Sequence, residues 1–292
     1  MAHSRAGFAK TSYKERLYKF PEFQNALRAA FNKGEIMFKF ILAIFLTVLP
    51  VICFAQPESA SSQTDRDVQS LSSAFMAYTE LRISSVQQSL GILASTTEVH
   101  SGVWEHMKGL LSSYQSSDDG LVVWFVRPDG SYYTTDKGLM SVGLSDRDYF
   151  PALMKGQKIT GALVVSKSTG RRSAVIAVPV RQHGVVIGAI GASVFLDVLA
   201  ERIDSVLDLG ADTSFFALAP NGLTTLHKKT ERHFLDPRTL NSETLKEAVN
   251  EMLSKDTGEV SYEFDHAAKT AVFRTSPVTQ WKFVITHSVP QR

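Results

Sequence analysis

Apolar residues recur along this chain with two different periods, and the switch between them divides it. From Asp65 onward, Val68, Leu71, Phe75 and Tyr78 follow at steps of three and four; Ile83, Val86, Leu90 and Leu93 do the same after one stutter. That spacing predicts one face of a long helix, and a stripe of this kind is core packing rather than a cofactor box. Ser95-Thr96-Thr97-Glu98 has capping-box spacing. A second helix is therefore expected, with Val103, Met107, Leu110 and Tyr114 inward.

Beyond a polar break at residues 116–120 the pattern changes. Residues 121–126 are rich in β-formers and end in Arg127-Pro128-Asp129-Gly130, a turn in which Gly supplies the positive φ; residues 131–135 form the returning strand. The same order recurs in the apolar run 214–219, the turn Pro220-Asn221-Gly222 and the return 223–226. A second echo pairs residues 177–180 with 275–278, each followed by a final strand, 185–194 and 281–289. Two echoes in one order predict two tandem units of the same topology, joined by a short helix over 198–209. The second unit has its own helix over 242–253, with Ser242 as cap and Leu245, Val249 and Leu253 inward. The expected fold class is α+β. It comprises a long N-terminal helical region (65–117) and two modules (118–207 and 208–292), each with a central antiparallel sheet.

Composition adds a boundary and an exclusion. At 292 residues the chain has room for two modest domains. The formal charge of +2 is unevenly spread: eight Lys/Arg and three Asp/Glu precede Gln56, leaving 23 basic against 26 acidic residues beyond it. The remainder lacks the clustered positive surface that nucleic acid requires. Before Gln56, Met37-Phe38-Lys39 leads into an uncharged apolar run of sixteen residues, 40–55, short of the ~20 that cross a bilayer comfortably. A basic start, a short apolar core and a small final residue predict a secretory signal cleaved after Ala55, with an uncleaved single-helix anchor as the alternative. The only cysteine, Cys53, lies in this leader, so neither a disulfide nor a Cys metal site is expected. Translation starting at Met37 would leave residues 1–36 as an untranslated upstream stretch; if translated, their basic character makes them a cytoplasmic tail. Residues 56–64 are small and polar and read as a linker.

No catalytic constellation is present in the sequence. His100 and His106 lack the i, i+4 spacing of paired ligands, and neither His-Glu-x-x-His nor Gly-x-Ser-x-Gly occurs. Gly138 and Gly143 have phosphate-loop spacing, but Leu144 stands where the lysine belongs. Asp146 and Asp148 offer two carboxylates and no clear third metal ligand. No catalytic residue, metal or cofactor is expected. The densest polar segment is Ser145-Asp146-Arg147-Asp148-Tyr149-Phe150, followed by an extended run that closes on Ser166-Lys167-Ser168-Thr169-Gly170. The planar fork of Arg147 suits a carboxylate; a surface ion pair with Asp146 or Asp148 is the competing role.

The run Asp148-Tyr149-Phe150, the turn at 166–170, the strand at 177–180 and the run 188–199 resemble the double Cache family. These are paired PAS-like sensor modules outside the membrane in bacterial chemoreceptors, kinases and cyclases, and the resemblance covers residues 65–289. In the family's amino-acid-binding branch, an Arg followed two residues on by Trp grips the ligand carboxylate. Arg147 matches the Arg, Tyr149 takes the Trp position and Phe150 that of the following Tyr. A Tyr expected near Val164 and an Asp near Ser166 are missing. Ser193 replaces the Asp that would hold the ligand amino group. The resemblance thus implies a ligand site of Arg147, Tyr149, Ser166 and Ser193, joined by Trp124 from the first strand. Its ligand would be a carboxylate or a neutral polar molecule rather than an α-amino acid, whose buried ammonium would lack an acceptor charge. The expected function is non-enzymatic: a stand-alone periplasmic or secreted binding protein. Its pocket would lie between the first sheet and the helix and loop at 146–155. No output domain follows the last strand, so the signal is expected to pass to a separate membrane receptor or kinase. A membrane-anchored sensor subunit of a signal-transduction or chemotaxis system is the first alternative, and an enzyme with a composite site the second.

Overall fold

A helix of 35 residues, α1 (Ala60–Ala94), underlies everything that follows it. The computed structural model describes residues 60–289, with side chains from Asp67 onward; the stretch 1–36, the leader 37–55 and residues 56–59 of the linker lie outside the described residues. The helix begins at Ala60, inside the expected linker. Its buried stripe is Val68, Ser72, Phe75, Thr79, Ile83, Val86, Leu90 and Ala94. Ser72 and Thr79 close the stutter, and Leu71, Tyr78 and Leu93 move to its half-buried edge. Both hydroxyls are satisfied, as burial requires: Thr79 Oγ1 donates to Phe75 O at 3.0 Å, and Ser72 Oγ accepts from Arg274 Nε at 3.2 Å. Three more polar contacts tie α1 to the strands and loops beside it. Ser276 Oγ donates to Glu80 at 2.6 Å, Gln87 Nε2 donates to Thr160 at 2.8 Å, and Arg82 pairs with Asp118.

Thr96 caps the next helix, α2 (Thr97–His100), which stops after one turn where Gly102 takes φ +68°. The chain restarts as α3 (Trp104–Ser116), which buries Trp104, Met107 and Leu111. The expected face is displaced, because Val103 is the extended, exposed residue before the helix rather than part of it; Leu110 and Tyr114 are half-buried.

The first sheet contains β1 (Leu121–Val126), β2 (Tyr132–Thr134), β3 (Gly138–Leu139), β4 (Ile159–Val165), β5 (Arg172–Gln182) and β6 (Val185–Phe195). Its order is β3-β2-β1-β6-β5-β4, antiparallel throughout. After α5 (Leu196–Leu207) come β7 (Thr213–Leu218), β8 (Thr224–His227), β9 (Thr257–Phe264), β10 (Ala267–Thr275) and β11 (Lys282–Ser288), ordered β8-β7-β11-β10-β9. With β3 set aside, the two orders are identical, so the modules are tandem copies of one topology. The second echo is displaced at residue level. Pro179 lies within β5, whereas Pro277 lies in a turn. The turn at 276–281 joins β10 to β11, as the shorter turn at 183–184 joins β5 to β6, but locally it is built like 166–171: Ser276 N–H donates to Trp281 O at 2.8 Å, as Ser166 N–H does to Arg171 O at 2.9 Å. The hairpin of β9 and β10 was not anticipated; Asp265 and His266 close it at φ +53° and +60°, as a two-residue mirror-image turn demands.

Each sheet is buried on both faces. On one side a single apolar cluster runs from Val68 on α1 through Phe125, Ile176 and Ile190 to Phe215 and Phe283. The opposite faces are covered by α4 (Phe150–Met154) in the first module and α6 (Glu243–Ser254) in the second. Ser242 caps α6 by accepting from Leu245 N–H at 3.1 Å; Leu245, Ala248, Val249 and Met252 are its buried face. Phe75 packs edge-on against Phe215 at 4.9 Å and Phe283 at 4.8 Å. Phe75→Ala should therefore cost about 3–5 kcal/mol, read as a lower urea midpoint with an unchanged slope.

Candidate ligand-binding site

Trp124, Arg147, Tyr149, Ser166 and Ser193 all line one cavity on the α4 side of the first sheet. Alternation along β1 puts Trp124 on that face, while Leu121, Val123 and Phe125 join the α1 core. Its cross-strand partner on β6 is Gly191. A Cβ at Gly191 would stand 2.2 Å from Trp124 Cζ2, so the indole lies directly over a bare backbone. Two residues along β6 on the same face, Ser193 Oγ accepts the indole N–H at 3.2 Å. The Ser that replaces an acid here thus fixes the ring that fills the space. What remains is about 10 Å³, room for roughly one water.

The cavity roof is the loop preceding α4. Leu144 N–H donates to Gly130 O at 2.8 Å, and Gly130, at φ +87°, leaves no room for a side chain beside Ser145. Lys167 reaches across from the turn after β4, donating to Gly143 O at 2.8 Å and pairing with Asp146 at 2.6 Å. That ion pair belongs to Lys167 rather than Arg147, and it holds the Asp146 carboxyl below its ordinary pKa. Arg147 instead donates from Nη2 to Val165 O at 2.7 Å. Its Nε is buried and has no hydrogen-bond acceptor among the described residues. Ser166 Oγ lies 3.2 Å from Ser168 Oγ and accepts from Thr169 N–H at 3.3 Å.

Three polar lining residues escaped the sequence reading, Tyr132, Lys167 and Ser168, beside the apolar Leu144, Val164 and Val175. Tyr132 is hydrogen-bonded to Ser168, and burial raises its pKa. The Ser-x-Ser spacing of the turn was the available signal for Ser168; nothing in the sequence singles out Tyr132. Burial also pushes the Tyr149 hydroxyl up to about 12, against the opposing pull of Arg147, so it remains a neutral donor. No Asp or Glu lines the cavity. The site therefore has one buried guanidinium edge, several hydroxyls and no counter-charge, an arrangement suited to an anion. On their outer side Arg147 and Tyr149 also border an open groove of about 590 Å³ that reaches Asn221 and Trp281 of the second module. Among the described residues, no group of three His, Cys, Asp or Glu is placed to share a metal ion.

The Cache domain family, in its double form, matches residues 56–291. The chain belongs to the Cache family. No curated protein matches it, but solved structures do. The extracellular domain of the histidine kinase rpHK1S-Z16 is similar with a TM-score of 0.65 at 16% identity, covering 79% of this chain and 96% of that one. The ligand-binding domain of the Pseudomonas fluorescens chemoreceptor CtaA, in complex with L-serine, gives 0.63 at 13% identity, covering 78% and 98%. That of the Campylobacter jejuni chemoreceptor Tlp3, in complex with 4-methylisoleucine, gives 0.61 at 14%, covering 80% and 93%. As a Cache domain, the chain is an extracytoplasmic sensor module for small molecules.

Two outcomes follow for this Cache site. Gly191→Ala should destabilise by about 1–3 kcal/mol or more through overpacking, and Trp124→Leu in the same chain should recover part of that loss, giving a measurable coupling in a double-mutant cycle. Tyr149, with its pKa raised above the ordinary 10.0, contributes stability that is intact below pH 10 and lost as pH rises to about 12. Tyr149→Phe should flatten that alkaline loss and remove the last tyrosine ionisation from a near-ultraviolet absorbance titration.

Proposed function

We propose that this Cache chain is a non-enzymatic sensor whose first module takes a small carboxylate against Arg147, hydrogen-bonded by the surrounding hydroxyls. The observation that carries this reading is the buried Arg147 Nε without an acceptor, beside a cavity free of acids. A carboxylate would give that donor its partner; an α-amino acid would bring an ammonium that finds no acid. Size narrows the class further. Trp124 fills the sheet face and only about 10 Å³ remains, so even a one- to three-carbon acid enters only when the roof at 143–149 lifts off its Lys167 and Gly130 contacts, and larger acids demand a greater displacement.

We further infer that the leader is removed after Ala55 and that the sensor works with a separate membrane receptor or kinase. Amino-terminal sequencing of protein recovered from the cell envelope should begin at Gln56. A mature species that retains residues 40–55 would instead favour the membrane-anchored form.

Formate, acetate, propionate, pyruvate and lactate should each be tested by thermal shift. A site-specific ligand raises the melting temperature progressively with concentration, and Arg147→Gln should abolish that rise while leaving the unliganded melt near its original value. Equal shifts in wild type and Arg147→Gln, or stabilisation by α-amino acids alone, would overturn the assignment.

A further inference from the structure

Of the two cavities on the outer sheet faces, the larger lies in the second module. Matching the two hairpins through their turns places Phe216 where Trp124 stands, Val284 where Gly191 stands, and Thr286 where Ser193 stands, since Val122 pairs with Ser193 as Ser214 pairs with Thr286. The indole that plugs the first sheet is thus replaced by a smaller phenyl. On the corresponding face of the second sheet a cavity of about 510 Å³ is left open, within the range of small-molecule pockets.

Its walls divide by chemistry. Phe216, Leu235, Leu240, Leu245 and Phe264 supply an apolar body. Four cations, Lys228, Lys229, Arg232 and Lys269, face two acids, Asp204 and Asp265. Lys228 is neutralised by Asp204 at 3.1 Å. Arg232 has only a loose pairing with exposed Asp265 at 3.6 Å, and lies over the Phe264 ring at 5.2 Å.

The decisive contact is between Arg232 and His227. His227 Nδ1 accepts the backbone N–H of Lys229 at 2.8 Å, so that nitrogen carries no proton. Burial first, and then the neighbouring Arg232, hold the His227 pKa down to about 3, so the ring is neutral and its single proton sits on Nε2. Nε2 lies 3.4 Å from Arg232 Nη1. Two N–H donors therefore face each other at the cavity wall without an acceptor between them, and an anion would satisfy both.

We propose that the second module holds its own ligand site, which takes a small organic acid with an apolar body. The carboxylate accepts from the Arg232 guanidinium and the His227 Nε2–H together, from the cavity side, and the body lies against Phe216 and Phe264. This site is separate from the Arg147 cavity and does not rest on it.

Benzoate is the probe that combines the two features, with benzyl alcohol and acetate as its separated halves. Isothermal titration of the chain should give benzoate a Kd of about 1 mM or tighter, with benzyl alcohol and acetate each at least about tenfold weaker. Arg232→Gln should weaken benzoate at least about tenfold, about 1.4 kcal/mol, while Arg147→Gln leaves it unchanged. In the wild-type chain, amide shifts on adding benzoate should cluster in β7, β8 and residues 228–235. That map decides the matter even if Arg232→Gln does not fold. No binding by about 10 mM benzoate, affinity unchanged in Arg232→Gln, or shifts confined to β1–β6 would each overturn the proposal; the last would return the acid to the first module.

Discussion

The constraint on which this structure depends is that neither sheet can bury its inner face without α1. Its stripe of eight positions is shared between the modules: Phe75 is held by Phe215 and Phe283 of the second, while Ile83, Val86 and Leu90 belong to the same apolar cluster as the inner face of the first. A two-module fold of this size has no separate core for each half on that side. The modules join directly as well, where Trp281 packs against Gly161, a glycine at φ +85° in a bulge of β4. Burial of aromatic and branched side chains along one rod is the dominant stabilising term here.

Against that common frame, the outer faces diverge through very few residues. One pair of facing strands carries Trp124 over Gly191; its counterpart carries Phe216 beside Val284. The first combination lays a large ring over bare backbone, and the second sets a smaller ring opposite a branched neighbour. The volumes that result, about 10 and about 510 Å³, differ far more than the topology does. Specialisation within a duplicated fold can therefore reside in one cross-strand pair, with the loops adding charge around whatever space that pair leaves.

Much of this was legible in the sequence, for identifiable reasons. The long helix announced itself because its stripe keeps a helical period over many turns; only the hydroxyls of Ser72 and Thr79 hid two of its positions, since burial of Ser and Thr depends on hydrogen bonds no pattern reveals. The tandem topology was visible in the turns Pro128-Asp129-Gly130 and Pro220-Asn221-Gly222, whose backbone demands are local. The second echo misled at residue level because it matched a proline inside β5 to one in a turn. At the site, Arg147 and its companions came from the resemblance and do meet in one cavity. What the sequence could not give was the size of that cavity: Gly191 beneath Trp124 is a relation across 67 residues of chain. The donors of the second cavity were invisible for a similar reason, because the tautomer of His227 is set by a backbone N–H rather than by any residue type.

The polar contacts along α1 have a mechanical meaning. Ser72, Glu80, Arg82 and Gln87 each meet a partner on the strands or loops beside the rod, over about 22 Å in the middle of a helix roughly 52 Å long. A shift of one full turn, about 5.4 Å, would unlatch all of them together and carry Ser72 away from Arg274. Leaning sideways stretches them unequally and can leave most of them closed. The latches thus act as a ratchet's teeth do, opposing travel of the rod along its own axis by a whole turn.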